Sequence, residues 1–295
     1  MKNNDTFDFR RFGKYFASDI KTCWTNYGLS LLTIALLFPV AVYFITTTFN
    51  FVVNSTWDGP DMGVRVFVFA VAMICMIVTM PVKCYGRITE KQYGSFWLML
   101  PASRLEKFAS MFLMTCIIVP VTGIVLYIGM DAVICAFDHT CGSSLSAGAM
   151  KFIRNMGDIE ELTMNFVDEN IDIEDAALIQ QILGQINSPL LYADEIIGMT
   201  LPFLLGAVFF KRGKTVKTIL ALFAISTAVS IVATPIMESW ASNVFNGLND
   251  DPAVLTRLFD NGFFKNLVLI DTISDTIVNL ALMAGLWFRI KTLKH

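Results

Sequence analysis

Six apolar runs punctuate the chain, at residues 27–49, 64–82, 109–137, 193–210, 217–237 and 267–288. A hydrocarbon core about 30 Å thick is crossed by roughly 20 apolar helical residues, with a range of about 17–25. A single run of this kind also fits a buried helix of a soluble protein, but six in one chain point to a bilayer. The fourth is the shortest and holds Pro202. The pattern therefore predicts an all-α membrane protein with six transmembrane helices.

The segments between the runs are patterned too. In residues 1–26, Phe9, Phe12, Phe16 and Ile20 recur at helical spacing, with Arg10, Arg11, Lys14 and Lys21 between them. That predicts an N-terminal amphipathic helix lying along an anionic membrane surface, with a disordered basic tail as the alternative. Residues 138–192 form the longest connection and are acidic, yet Phe152, Met156, Ile159, Leu162 and Phe166 keep a helical period. A small helical outer cap is expected there. Residues 238–266 form a second, shorter outer segment broken by Gly247, Pro252 and Gly262. The expected organisation is 1–26, then spans one to three over 27–137, the cap at 138–192, and spans four to six over 193–295.

Composition agrees with a lipid-facing surface. Hydrophobic residues make up 55% of the chain and charged residues 16%, against roughly 25% charged in soluble domains. The net charge of -3 conceals a segregation of sign. Of the 22 basic residues, all but Arg65, Lys151, Arg154, Arg257 and Lys265 fall in the N-terminal segment, the loops after spans two and four, and the tail. Because cytoplasmic loops concentrate Lys and Arg, both termini are expected in the cytoplasm. The first run is longer than a signal-peptide core and no small-x-small site follows it, so it is expected to stay as a span. Cys23, Cys75, Cys84 and Cys116 fall in or beside membrane or cytoplasmic segments, where free thiols are ordinary. Cys135 and Cys141 both fall near the outer face, where an oxidised pair and two free thiols are both open.

Few catalytic chemistries have the residues they need. With only His139 and His295, a histidine-based metal site or triad has little to draw on. Residues 208–215, VFFKRGKT, approach a phosphate-binding loop, but the glycine that lets backbone amides curl around phosphate is Val208. The segment reads instead as a basic anchor, and the chain alone is not expected to hydrolyse ATP.

The segment YGSFWLMLPASRLEKFAS, residues 93–110, joins spans two and three. Thr89 with Gln92, and Ser103 with Glu106, each fit a capping box that satisfies orphan amides at a helix start. Between them Tyr93, Phe96, Trp97 and Leu100 fall at i, i+3, i+4 and i+7. A short amphipathic helix is expected from Glu90 to Leu100, ended by Pro101, inside a loop element spanning 89–102. The run FWLMLPASRLEKFAS resembles the cytoplasmic loop of type-2 ATP-binding cassette exporter permeases, matching at Leu100, Pro101, Ala102, Ser103, Glu106, Lys107 and Phe108. The acidic segment 138–192 departs from compact family members, whose larger outer element lies between spans five and six.

The resemblance implies the permease (membrane-spanning) subunit of an ATP-driven exporter in a bacterial inner membrane. It implies a second permease chain, the same or related, and a separate ABC ATPase subunit that holds ATP and Mg. No cofactor in this chain and no nucleic-acid partner are expected; membrane lipid is. The coupling helix would present Glu90, Tyr93, Phe96, Trp97, Leu100, Ser103 and Glu106 to the ATPase. In the sixth run Asp271, Asp275 and Asn279 recur every four residues and share one helix face. An ionised carboxylate facing lipid costs at least ~2.5 kcal/mol, so this stripe is expected to line a pathway or gate, with Arg65 as its pairing cation; the alternative is that span six begins nearer Thr276 and leaves both acids at the headgroups. A membrane-anchored sensor or accessory protein, binding a ligand or partner through its outer acidic segment, is the alternative. An ion-coupled secondary transporter is a further reading, weakened by the lack of internal repeats.

The orientation is checked by single cysteines in a background without native ones. Asp58→Cys and Asp168→Cys should react with an impermeant maleimide on intact cells, and Lys91→Cys and Gly213→Cys only after the membrane is opened. The reverse labelling would overturn it.

Overall fold

The computed structural model describes residues 7–147, 189–250 and 263–292, and their regular elements are all helical. In chain order these are α1 (Phe9–Asn54), α2 (Met62–Tyr85), α3 (Lys91–Met99), α4 (Arg104–Phe137), α5 (Pro189–Phe209), α6 (Lys214–Asp250) and α7 (Phe263–Thr292). A tight 3-10 turn, Gly86–Thr89, links α2 to α3, and another, His139–Cys141, follows α4. Helices dominate because lipid offers no partner for backbone N–H and C=O groups, and only a helix satisfies them within one segment.

Among the described residues, five helices are long and apolar enough to cross a membrane: Phe9–Asn54, Met62–Thr89, Arg104–Phe137, Lys214–Pro235 and Thr272–Thr292. The chain is thus consistent with a multi-pass membrane protein. The fourth expected span, 193–210, is helical within α5 but is not one of the five. It carries Asp194 and Glu195 in its first turns and Pro202 in its middle. The expected helical cap falls on residues of which 148–188 lie outside the described residues, as do 251–262 of the second outer segment.

The N-terminal segment is not a separate element. Asp8 caps α1 by accepting from the Arg10 N–H at 2.9 Å, and the helix then runs without a break to Asn54. Forty-six residues at ~1.5 Å each span about 69 Å, more than a bilayer with its headgroups. The first turns of α1 are therefore a continuation of the first candidate span, which is longer than a bilayer crossing requires.

α1 and α4 share a device. Each contains a wide π turn, Thr33–Leu37 and Met114–Ile118, and each turn ends two residues before a proline, Pro39 and Pro120. Proline has no N–H to donate and its ring collides with the carbonyl four residues back. Moving the hydrogen bonds out by one residue, as in Phe38 N–H to Thr33 O and Val119 N–H to Met114 O, relieves both problems without breaking the helix.

The chain divides into two compact units. In the first (1–154, 199–215 and 282–295), one apolar cluster gathers Met76, Met80, Tyr85, Ile88, Trp97 and Met111 with Leu204 and Leu286. α2 and α4 approach closely at Gly123, where a Cβ would stand 2.3 Å from Met76 Cε. A second cluster, Val68, Ala72 and Tyr127, carries an edge-to-face contact of Tyr127 with Phe69 at 5.0 Å. The second unit (155–198 and 216–281) takes in the start of α5, most of α6 and the first part of α7.

Candidate functional site

The segment between α2 and α4 is held from three directions. Its centre is Glu106, whose side chain has no solvent exposure. The expected capping box forms: Ser103 N–H donates to Glu106 Oε2 at 2.8 Å, and Glu106 N–H donates to Ser103 Oγ at 3.2 Å. The same carboxylate accepts from Arg11, Nε at 2.8 Å and Nη2 at 2.6 Å, and from the Asp8 N–H at 2.9 Å. One residue at the start of α4 thus fixes the start of α1. Asp19 adds a second tie by accepting from Tyr85 Oη and Ser110 Oγ, both at 2.6 Å.

Lys107 closes the other side. It is buried, and its Nζ donates to the carbonyls of Trp97 at 2.8 Å and Leu98 at 3.2 Å, 4.9 Å from the Trp97 ring centroid. A cation on the last carbonyls of a helix meets the negative end of its dipole, so α4 caps α3. From the start of α6, Lys214 donates to Gly86 O and, at 2.7 Å, to Thr89 Oγ1.

These contacts correct two expectations. Thr89 does not cap α3; its hydroxyl turns back to Gly86 O at 3.0 Å, and the N-cap position is Glu90, without a side-chain bond. The apolar stripe is also divided. Trp97 is 4% exposed and packs in the main core with Tyr93 and Leu100, whereas Phe96 is 63% and Met99 80% exposed. Phe96 and Trp97 are adjacent and so stand about 100° apart on the helix. Glu90 lies 3.7 Å from Arg87 in an exposed pair. Phe96 and Met99, with Gln92, form the exposed side of this helix. Ser103 and Glu106 serve its foundation.

At the opposite ends of α2 and α4, Arg65, expected to pair with the α7 stripe, has another carboxylate beside it. Its partner is Asp131, at 3.0 Å and 3.1 Å from Nη1, both side chains being about 95% buried. Nη2 donates to the carbonyls of Cys141 at 2.9 Å and Ser143 at 2.7 Å, and the Leu145 N–H donates to Asp131 Oδ2 at 2.7 Å. Asp131 is the sole charged residue between Lys107 and Asp138, and that isolation within an apolar run was a sequence signal of a buried partner. Nearby, Asp138 Oδ2 accepts from Tyr43 Oη at 2.5 Å and Oδ1 from Thr140 Oγ1 at 2.6 Å. The Thr140 and Tyr43 hydroxyls hold the Asp138 carboxyl below the usual range.

In the second unit the stripe on α7 meets α5. Buried Asn279 donates to Asp194 Oδ1 at 2.8 Å, and Thr276 Oγ1 to Asp194 Oδ2 at 3.2 Å. Gly198 makes room for this pairing, since a Cβ there would stand 3.1 Å from Asn279 Oδ1. Asp275 is exposed in the single chain, and the Asp271 side chain lies outside the described residues. Asp194, missed from sequence, is the residue that fixes the stripe.

No protein-family model matches the chain, and no curated protein or solved structure is similar to it.

The buried pair gives a stability prediction. Asp131→Leu leaves the Arg65 guanidinium buried and uncompensated, which costs about 3–5 kcal/mol. Adding Arg65→Met should recover most of that loss, because apolar replacement of both partners is commonly near neutral. Thermal unfolding of the detergent-solubilised protein checks this; a double variant as unstable as the single one contradicts it.

Proposed function

We propose that this chain is the permease subunit of an ATP-driven exporter that works with a separate ATPase subunit. The supporting observation is the braced helix α3. It joins the adjacent ends of two membrane-crossing helices, is capped from α4 by Lys107, whose neighbour Glu106 holds the start of α1, follows a turn that Lys214 of α6 holds, and exposes Phe96 and Met99. A helix held in this way passes a push on its exposed edge to α1, α2 and α4 together. A helix floating among headgroups needs no buried ion pair beneath it. The resemblance at Leu100, Pro101, Ala102, Ser103, Glu106, Lys107 and Phe108 supplies the class of partner, an ABC ATPase carrying ATP and Mg. On this reading both termini and α3 face the cytoplasm of a bacterial inner membrane, and six spans form when α5 joins the other five. A second permease chain completes the exporter. The pathway lining then lies on the α7 face that holds Asp275 and Asn279, opposite Asp194, while Arg65 and Asp131 fasten the outer ends of α2 and α4.

Co-expression with candidate P-loop ATPases from the same genome, followed by affinity purification through this chain, tests the proposal. The wild type should retain one of them with ATP hydrolysis. The Phe96→Ser, Met99→Ser variant should lose at least about tenfold of that hydrolysis, a ΔΔG of ~1.4 kcal/mol, while inserting normally. Unchanged hydrolysis would reduce α3 to a surface element. A second variant reads the pathway: Asp275→Asn should alter the stimulation of hydrolysis by substrate without changing insertion, and an unaltered Asp275→Asn response would place the route elsewhere.

A further inference from the structure

Two pairs of cysteines are brought together at opposite ends of the first unit. Cys23 of α1 and Cys84 of α2 lie in the same buried cluster, at the end that carries α3. Cys135 in the last turn of α4 and Cys141 in the turn that follows are gathered at the other end by one guanidinium, that of Arg65. The second pair is built into the Arg65 network. Nη1 donates to Cys135 Sγ at 2.9 Å while Nη2 donates to the Cys141 carbonyl at 2.9 Å. Both residues are buried, at 8% and 5% exposure, and both are thiols in this structure.

The chain around them is shaped for close approach. Asp138 leaves α4 in an extended conformation and its carboxylate caps the Thr140 N–H at 3.0 Å, so the turn His139–Cys141 folds back on the helix end. The segment before α2 then closes over the sulfur. The Gly59 N–H donates to Thr140 Oγ1 at 2.8 Å, and a Cβ on Gly59 would stand 2.4 Å from Cys141 Sγ. Glycine is required there because the backbone lies against the thiol.

We propose that Cys135 and Cys141 are oxidised to a disulfide in the mature protein. The bond fastens the turn that supplies the backbone acceptors of Arg65. It rests on the orientation given above, which places this pair in the oxidising outer compartment and Cys23–Cys84 on the reducing side. The chemistry is exchange with an external disulfide. One cysteine thiolate attacks that disulfide and expels a thiolate. The second then attacks the mixed disulfide and expels the other. Two electrons pass to the oxidant and two protons to solvent. Burial pushes the folded Cys141 thiol up to about 11, leaving little thiolate after the turn closes. The exchange therefore belongs to folding, before Gly59 covers the sulfur, and the finished bond resists reductant until the protein unfolds.

Peptide mapping of the wild-type chain tests this without any variant. Cells are quenched in acid without reductant, denatured and alkylated with N-ethylmaleimide, then reduced and labelled with an isotopic maleimide. Cys135 and Cys141 should carry only the second label, with the linked peptides present before reduction, and Cys23 and Cys84 only the first. Dithiothreitol should also lower the thermal midpoint of the wild type and leave that of the Cys135→Ala, Cys141→Ala variant unmoved. First label on Cys135 and Cys141 with all other cysteines free overturns the disulfide alone. A Cys23–Cys84 disulfide with Cys135 and Cys141 free overturns both the proposal and the orientation.

Discussion

A carboxylate with no solvent contact, Glu106, sets the geometry around it. Burying an ionised group is costly unless charge and hydrogen bonds replace its water. Glu106 meets that condition by gathering three donor groups: the N–H of Asp8, the Arg11 guanidinium in the first turn of α1, and the N–H of Ser103. None of the three can move far without stranding it. Its position at the third residue of α4 also fixes Lys107, which caps α3. The direction of α3, and hence the exposure of Phe96 and Met99, follows from that anchor.

The opposite end repeats the arrangement with a different helix supplying the cation. There α2 supplies the arginine, Arg65, and α4 the acid, Asp131. Glu106 and Asp131 stand 25 positions apart, about 38 Å along a helix at ~1.5 Å per residue. That exceeds a ~30 Å hydrocarbon core and approaches the ~40–45 Å of a bilayer with its headgroups. The two ion pairs of α4 therefore stand at either end of its apolar run, and the π turn before Pro120 lies between them. The two ends differ in what they exclude from water. The α3 end buries a carboxylate beneath an exposed aromatic tip, and the other end buries a guanidinium beneath a glycine-covered turn.

Helix positions and the Ser103–Glu106 box were legible because they rest on local rules: apolar run length and the reach of a side chain to its own backbone. What the sequence hid was non-local. Spacing alone grouped Phe96 with Trp97, and only the cation of Lys107 and the packing of Tyr85 and Ile88 show which of the two turns inward. Arg65 was matched to the α7 acids because they form a visible stripe, while Asp131 was passed over inside an apolar run. A lone charge inside an apolar span has to find a partner, which was a signal for Asp131. Asp194, whose carboxylate engages Asn279 and Thr276, stands beside Glu195 at the start of its run and gave no such signal. The continuity of α1 was also unreadable from periodicity, which registered a change of polarity near residue 27 where the backbone has no break.

The central claim is that the exposed edge of α3 docks on an ATPase. It is tested most directly by a photo-crosslinking amino acid at position 96 in living cells. The account predicts one dominant adduct, to a protein that binds and hydrolyses ATP, which disappears when the crosslinker is moved to the inward-facing position 93. Adducts at position 96 confined to lipid or to this chain itself would contradict it.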